Sequence, residues 1–408
     1  MNLLNESLWR DEAFAALLSR HEPSEIIGLS AGDATPPLFY LVLHFWVGVL
    51  GDSEVAMRAL TLLFFVATGL VMFLLGSRLG GNARWWLLAF SLTQPFLFRY
   101  GFEVRAYSLL ALLTATTILF FARRDRLALA ISATALLYTH LFGVWIVAAL
   151  LGWGVLKREP VVPLLVALAA SLPWAVNYVT FGRAATGWWL PAPTAESVAL
   201  YLVKLGAPLL LILVPFARGL ARQPVFPLAA FLFLTPIVGA LAVSQIKPVF
   251  LDRYLIVVVP AELLLLVLPA ATTRHFRYLA AVVLLVHLGA SAYLFTHPAK
   301  PPFRELAAYL ESERRPGDVV INMDALTYFE SHYYGLDSKI LSPSADIPIY
   351  LGSVLIPASD VITALPTSAE RYFWIEIHDS PGDRHPLPLP LVDTKDFGKV
   401  TLSLYLAQ

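Results

Sequence analysis

The sequence predicts an α-helical polytopic membrane protein of about ten to eleven transmembrane helices and one interfacial helix, ending in a small α/β domain. Three observations carry this. Of 408 residues, 58% are hydrophobic and 14% charged, with a mean hydropathy of +0.69, far from the balance of a soluble domain. The apolar residues fall in long runs separated by short Arg-rich loops, the pattern of successive spans. After Pro298 those runs stop and mixed polar and apolar patterning takes over. The formal net charge is +0 and no basic stripe marks a domain, so nucleic acid is not an expected partner. Cysteine is absent, which excludes disulfides, thiol catalysis and thiolate metal sites and suits a bacterial or archaeal membrane protein.

The first ten residues are too short and polar to insert, and they lack the pattern of a cleaved signal peptide. Either later helices direct insertion or a further helix precedes them. Spanning candidates are 58–78, 85–98, 104–122, 127–139, 141–156, 160–181, 198–217, 225–245, 254–270 and 278–296. Several fall short of the roughly 20 residues a bilayer needs, so their ends continue into flanking loops.

One alternation of loops orders the charges. Arg78, Arg84, Arg123, Arg124, Arg126, Lys157, Arg158, Arg218, Arg222, Arg274 and Arg277 fall on one side, with only Asp125 and Glu159 as acids. Asp11, Glu12, Asp33, Asp52, Glu54, Glu103, Glu196 and Asp252 fall on the other. Short cytoplasmic loops concentrate Lys and Arg, so the acidic side is expected outside, with the chain in the cytoplasmic (inner) membrane. Counting 36–51 (PPLFYLVLHFWVGVLG) as a span would invert every later loop. It therefore reads as an interfacial or re-entrant helix, its Tyr, His and Trp suiting headgroup depth and its Pro pair giving a sharp start. The chain thus divides into an outer segment (1–57), a membrane domain (58–297) and an extracytoplasmic domain (298–408).

In that last domain 303–313 reads as an amphipathic helix and 318–322 (DVVIN) as a strand after a Pro-Gly turn. A helix is expected over 328–334, and 372–377 and 400–406 are strand-like. No GxGxxG loop supports nucleotide binding.

Ionisable residues at a bilayer are function candidates by default, and here they cluster. Asp11 and Glu12 are either reactive acids or solvated loop and cap residues. Asp33 is either a second acid at the site or a cap for the helix after the Pro pair. Arg58, Arg105 and Arg253 sit at outer helix ends, where each either meets an anionic headgroup or pairs with its neighbour Glu54, Glu103 or Asp252. Glu103 orients Arg105, binds acceptor or forms a structural ion pair. His140, at a helix break, is more often a satisfied interfacial residue than a catalyst. Glu262 interrupts an apolar run and is expected to face the cavity interior. Trp188 and Trp189 form either a headgroup anchor or a sugar-stacking platform. Metal-ligand spacing is not evident: Asp11, Glu12 and Asp33 make a conceivable oxygen site, but an obligatory metal is not expected.

Leu8-Trp9-Arg10-Asp11-Glu12-Ala13, Pro36-Pro37-Leu38-Phe39-Tyr40, Glu103-Val104-Arg105-Ala106-Tyr107, Tyr138-Thr139-His140 and Arg253-Tyr254-Leu255 resemble the spaced motifs of GT-C membrane glycosyltransferases, in the clan of bacterial protein-mannosyltransferase-like and aminoarabinose-transferase-like enzymes. The resemblance runs over about residues 7 to 296. In that family a transmembrane helix precedes the acidic loop, and His or Lys commonly stands where this chain has Thr35. The resemblance implies transfer of a hexosyl or pentosyl group from a polyprenyl-phosphate-linked donor to an acceptor hydroxyl of a lipid, glycan or protein at the outer leaflet. Membrane lipids would be its other partners, and a first-loop acid would serve as base. It assigns Asp11 and Glu12 to catalysis, and Asp33, Arg58, Glu103, Arg105, Tyr107, His140, Arg253 and Tyr254 to substrate and lipid phosphate. The chemistry is consistent with that. A sugar hydroxyl needs a positioned carboxylate to become nucleophilic, and a departing lipid phosphate needs guanidinium charge rather than a general acid. The alternatives are a transporter or flippase of a lipid-linked substrate and a catalytically silent scaffold of the same fold. No internal repeat of the kind transporters show is visible, and the charges lie at one face rather than the midplane.

Overall fold

A computed structural model describes residues 2–33, 35–180, 190–271, 275–323, 325–343, 347–377 and 387–407. Its first three helices are α1 (Arg10–Ser19), α2 (Pro23–Gly32) and α3 (Leu38–Leu50), which form the N-terminal segment. α1 begins after an extended Trp9, whose N–H donates to Oε2 of Glu12 at 3.3 Å. A carboxylate three positions into a helix thereby satisfies one of the orphan donors at its start. α3 starts directly after Pro37 and runs 13 residues, about 20 Å at 1.5 Å per residue, too short to cross. Phe45 and Val49 are exposed along it, and the Trp46 indole donates to the Ala56 carbonyl at 2.7 Å, pinning α3 to the next helix. The interfacial helix expected after the Pro pair is this element.

The bundle follows. α4 (Glu54–Gly76), α10 (Val162–Thr180), α12 (Phe226–Ser244) and α14 (Phe276–Thr296) are each long and apolar enough to cross a membrane. α11 (Ala195–Leu205) continues through 207–220 after a 75° bend, the geometry of a broken span or a re-entrant loop. Shorter helices return between them: α5 (Ala83–Thr93) with α6 (Pro95–Gly101), α7 (Tyr107–Arg123), α8 (Arg126–Leu137), α9 (Gly143–Lys157), and a 3₁₀ turn Asp252–Val258 leading into α13 (Val259–Val267). Alternation shows in where the ends meet. The first turns of α4 and α7 and the Asp252–Val258 turn gather around α1, through Arg58, Val104, Arg105 and Arg253. At the opposite end Arg124 and Glu159 join the close of α7 to the approach to α10 at 2.6 Å.

α13, apolar except for Glu262, is buried on every side, as a nearly all-apolar helix must be. In lipid such packing rests on close backbone approach more than on the hydrophobic effect. Gly239 of α12 shows it: a Cβ there would overlap the Trp145 ring of α9. Gly206, at φ +98°, makes the sharp bend after α11, and a Cβ on it would meet Glu262 Oε1 at 3.1 Å. Glu262 is thus enclosed by helix packing at this bend, not turned into an open cavity as expected.

The C-terminal domain, expected on the outer face, begins with α15 (Phe303–Glu313) and carries α16 (Ala325–Tyr333) and a six-stranded sheet. The strands are β1 (Val319–Asn322), β2 (Ser338–Leu341), β3 (Val361–Ile362), β4 (Arg371–Ile377), β5 (Leu391–Asp396) and β6 (Val400–Leu406), in the order β3-β2-β1-β4-β6-β5. β1 pairs in parallel with β2 and β4, with Val320 opposite Phe373 and Ile321 opposite Trp374. β6 runs antiparallel to β4 and β5. Three of these strands, β2, β3 and β5, are not expected from the sequence: two are short, and all six residues of β5 are exposed, leaving no apolar alternation to read.

This domain packs on the N-terminal segment. Phe329 of α16 meets Phe14 of α1 edge-on at 5.3 Å, and the Tyr334 hydroxyl accepts the Leu8 N–H at 2.8 Å while donating to Glu54. Tyr333 donates to the Asp52 carbonyl at 2.8 Å, and Arg304 bonds both the Asn5 carbonyl and Glu54.

Candidate active site

The first turn of α1 brings the acid pair to one end of the bundle and points the two carboxyls at different neighbours. Asp11 meets three guanidinium groups: Arg10 Nε at 3.0 Å, Arg253 Nη1 at 3.7 Å and Arg105 Nη2 at 3.9 Å from its oxygens. Arg105 also donates to the Asp11 carbonyl at 3.3 Å. Burial works to raise the Asp11 pKa, but Arg10, Arg105 and Arg253 outweigh it and hold the carboxyl well below the ordinary range. Three cations against one carboxylate leave an excess of positive charge. Two of them, Arg253 and Arg105, stand from the carboxylate at distances longer than a hydrogen bond.

Glu12 faces inward and is fully buried. Its Oε1 accepts the Val104 N–H at 2.9 Å. Its Oε2 lies 2.9 Å from Lys300 Nζ and 3.5 Å from Arg58. Burial opposes its charge, and Lys300, Arg58 and the Val104 N–H together hold its pKa below the usual value. Lys300 Nζ also lies 2.8 Å from Oε1 of Glu6, another buried acid.

Arg58 departs from expectation. It is wholly enclosed, and its guanidinium donates to the carbonyls of Phe102 (3.1 Å), Leu4 (2.9 Å), Glu6 (2.7 Å) and, more distantly, Ser7 (3.5 Å), beside Glu12. A guanidinium has five N–H groups, and these five acceptors match them, so Arg58 holds the chain start rather than meeting a phosphate. The neighbour pairings weighed for the three arginines do not form either. Glu54 goes to Arg304 and Tyr334, Asp252 takes Lys204 at 2.8 Å, and no ion pair joins Glu103 to Arg105 among the described residues.

Asp33 ends α2 rather than starting the helix after the Pro pair, and it accepts from the Thr35 hydroxyl at 3.1 Å. Burial pushes its carboxyl up to about 7, against Thr35, Arg105 and Arg10 and with the Asp11 charge adding. Glu103 is buried with Oε1 accepting no hydrogen bond. Burial raises it to about 7, with Glu12 adding and Lys300, Arg253 and Arg99 opposing. Tyr107, His140 and Tyr254 form an aromatic wall: the His140 ring is 4.8 Å from Tyr254 and 6.0 Å from Tyr107. His140 Nδ1 accepts the Phe142 N–H at 3.1 Å, which leaves the proton on Nε2. Burial, then Arg105 and Arg253, pull its pKa down to about 3, so the ring is neutral. Trp188 and Trp189 lie outside the described residues.

Sequence reasoning singled out neither Lys300 nor Trp9 as a site residue. Trp9 underlies Arg253, whose guanidinium carbon sits 5.7 Å from the indole centroid. Lys300 had one readable signal, a lone Lys between prolines just beyond the last span. The architecture is therefore a membrane helical bundle with a carboxylate ringed by arginines at one end and an α/β domain packed over it.

No family model matches the chain, and no curated protein does. Solved structures do. Apo ArnT from Cupriavidus metallidurans aligns at a TM-score of 0.69 and 14% identity, over 98% of this chain and 94% of that one. The same protein bound to undecaprenyl phosphate aligns at 0.67 and 14% identity, over 99% and 95%. The chain has the ArnT fold along nearly its whole length. The resemblance to the aminoarabinose-transferase-like GT-C clan is borne out at the level of fold.

Proposed function

We propose that the protein is a membrane glycosyltransferase that moves a sugar from a polyprenyl-phosphate-linked donor to an acceptor hydroxyl at the outer face of the cytoplasmic membrane. The observation that carries this reading is Asp11, a carboxylate at one end of the bundle with Arg105 and Arg253 at 3.9 and 3.7 Å. That ArnT, of the same fold, has been solved with undecaprenyl phosphate supports the choice of donor.

The acceptor oxygen attacks the anomeric carbon as the bond from that carbon to the phosphate oxygen breaks. The electron pair leaves with the phosphate, and the hydroxyl proton passes to Asp11. A carboxylate ringed by three guanidinium groups is a weak base. The donor corrects this: its phosphate draws Arg105 and Arg253 into charge-assisted, bidentate bonds and relieves Asp11 of part of the field that depresses it. Base and phosphate site are then one device, in which the donor's arrival activates the base. Neutral His140, with Nε2–H as donor, and Tyr254 supply hydrogen bonds along the wall beside it.

Native mass spectrometry of the purified protein, followed by incubation with a synthetic polyprenyl-phosphate sugar and membrane extract, tests the reading. A co-purifying polyprenyl phosphate and sugar transfer from the synthetic donor are expected. Absence of both overturns it.

A further inference from the structure

Lys300 lies in the linker between the last span, which ends at Thr296, and α15 of the outer domain, which begins at Phe303. Its Nζ stands 2.8 Å from Glu6 and 2.9 Å from Glu12, and both acids are buried almost completely. Two buried carboxylates are costly to hold in one place without a cation between them. The only other cation in ion-pair range of Glu12 among the described residues is Arg58, at 3.5 Å, and its donors are already engaged by carbonyls. Glu12 in turn accepts the Val104 N–H at 2.9 Å, and the next residue, Arg105, reaches back to the Asp11 carbonyl. A chain of contacts thus runs from the outer-domain linker through Lys300 and Glu12 to the loop that presents Arg105 to Asp11.

We propose that Lys300 is a positioning residue for the reaction centre: by clamping Glu6 and Glu12 it fixes the 102–106 loop and with it the placement of Arg105 beside Asp11. The outer domain is then a working part of the site rather than an appended module. This rests on the transferase reading given above.

The groups facing Glu12 are Lys300 from the linker, Arg58 from α4, Glu6 from the chain start and Glu103 from the loop before α7. Without Lys300 two of the three acids face a single committed arginine, and one of them takes up a proton. A protonated Glu12 is a poorer acceptor for the Val104 N–H, and the loop loosens as pH falls.

The test compares Lys300→Met, Lys300→Arg and the double variant Lys300→Met/Glu6→Gln in lipid nanodiscs. Lys300→Met should acquire an acid limb absent from the parent, its kcat at pH 6 falling on the order of tenfold relative to pH 8, since each pKa unit changes the ionised fraction about tenfold. Infrared difference spectra should show a new protonated-carboxyl band that Glu12→Gln removes. Lys300→Arg should restore the parent profile. If Lys300→Met does not fold, Lys300→Gln, which keeps a donor toward both acids, takes its place, and the double variant, in which Glu12 alone faces Arg58, should lose the acid limb. An unchanged pH profile with no new band in the single variant overturns the proposal. The spectroscopic arm needs no activity, so a parent that transfers no sugar defeats the transferase reading while the clamp is still decided by the band.

Discussion

Arg253 stands with Nη1 3.7 Å from Oδ2 of Asp11 and its guanidinium carbon 5.7 Å from the centroid of the Trp9 indole. The ion pair is longer than a hydrogen bond, and the indole lies to one side of the flat cation. A phosphate approaching this end of the bundle finds a guanidinium already oriented by the aromatic face. Asp11 gains basicity when that guanidinium turns away.

Arg253→Lys tests the fork. Lysine keeps the charge but offers a point donor in place of two parallel N–H groups. Charge-assisted hydrogen bonds contribute about 1.5–3 kcal/mol, so kcat/KM for the lipid donor should fall on the order of tenfold to a hundredfold. Steady-state kinetics with a synthetic donor check this. Unchanged kinetics would move the phosphate contact to Arg105.

The buried acid at Asp33 gives a pH signature. Its carboxyl is pushed from 3.8 in the unfolded chain to about 7, so between those values the folded state holds a proton that the unfolded state has released. Stability falls as pH rises through this window and levels off above it. Asp33→Asn should flatten that slope and raise Tm at pH 8 while leaving it nearly unchanged at pH 4. One pKa unit is worth about 1.4 kcal/mol, and partial exposure of Asp33 reduces the yield, so a gain of a few degrees by differential scanning fluorimetry is the expected size. No change in the pH slope would mean that Asp33 is ionised throughout.

Sidedness follows from the charge alternation. Cysteines placed at the exposed positions Ser312 and Arg277, in a chain with no cysteine of its own, should label with an impermeant maleimide from outside and only after permeabilisation, respectively. The opposite pattern would put the arginine-ringed carboxylate in the cytoplasm and remove the outer-leaflet donor from reach.

The bundle was legible because span periodicity and loop charge are local signals, as 58–78 against α4 at Glu54–Gly76 shows. The acid pair was legible as well, since ionisable residues stand out in an apolar chain. What the sequence hid was partnership. Arg58, Arg105 and Arg253 each have an acid within four residues, yet among the described residues no ion pair joins any of them to it: Glu54 is taken by Arg304, 250 residues away, and Asp252 by Lys204. Long-range pairing is set by which helix ends converge, and no spacing rule encodes that. Lys300 was hidden for the same reason. Its two partners lie almost 300 residues upstream, and nothing in the run 298–302 announces them.

The catalytic assignment turns on the two acids of α1, which sequence alone could not separate. Glu12 is enclosed by Lys300, Arg58 and the Val104 N–H, so its oxygens are engaged in holding the loop. Asp11 retains slight exposure and two long ion pairs that a phosphate can relax. Asp11→Asn keeps the shape and removes the proton acceptor. A positioned base contributes about 10²–10⁴-fold, so kcat should fall by that order while donor lipid still binds, measured by single-turnover transfer beside native mass spectrometry. Glu12→Gln should instead lower thermal stability, because it leaves Lys300 and Arg58 short of a buried counter-charge, with a smaller loss of rate in the fraction that folds. A stable, inactive Glu12→Gln beside an active Asp11→Asn would exchange the two roles. Normal turnover in both would remove the base from α1 and leave Asp33 and Glu103 as the acids to test.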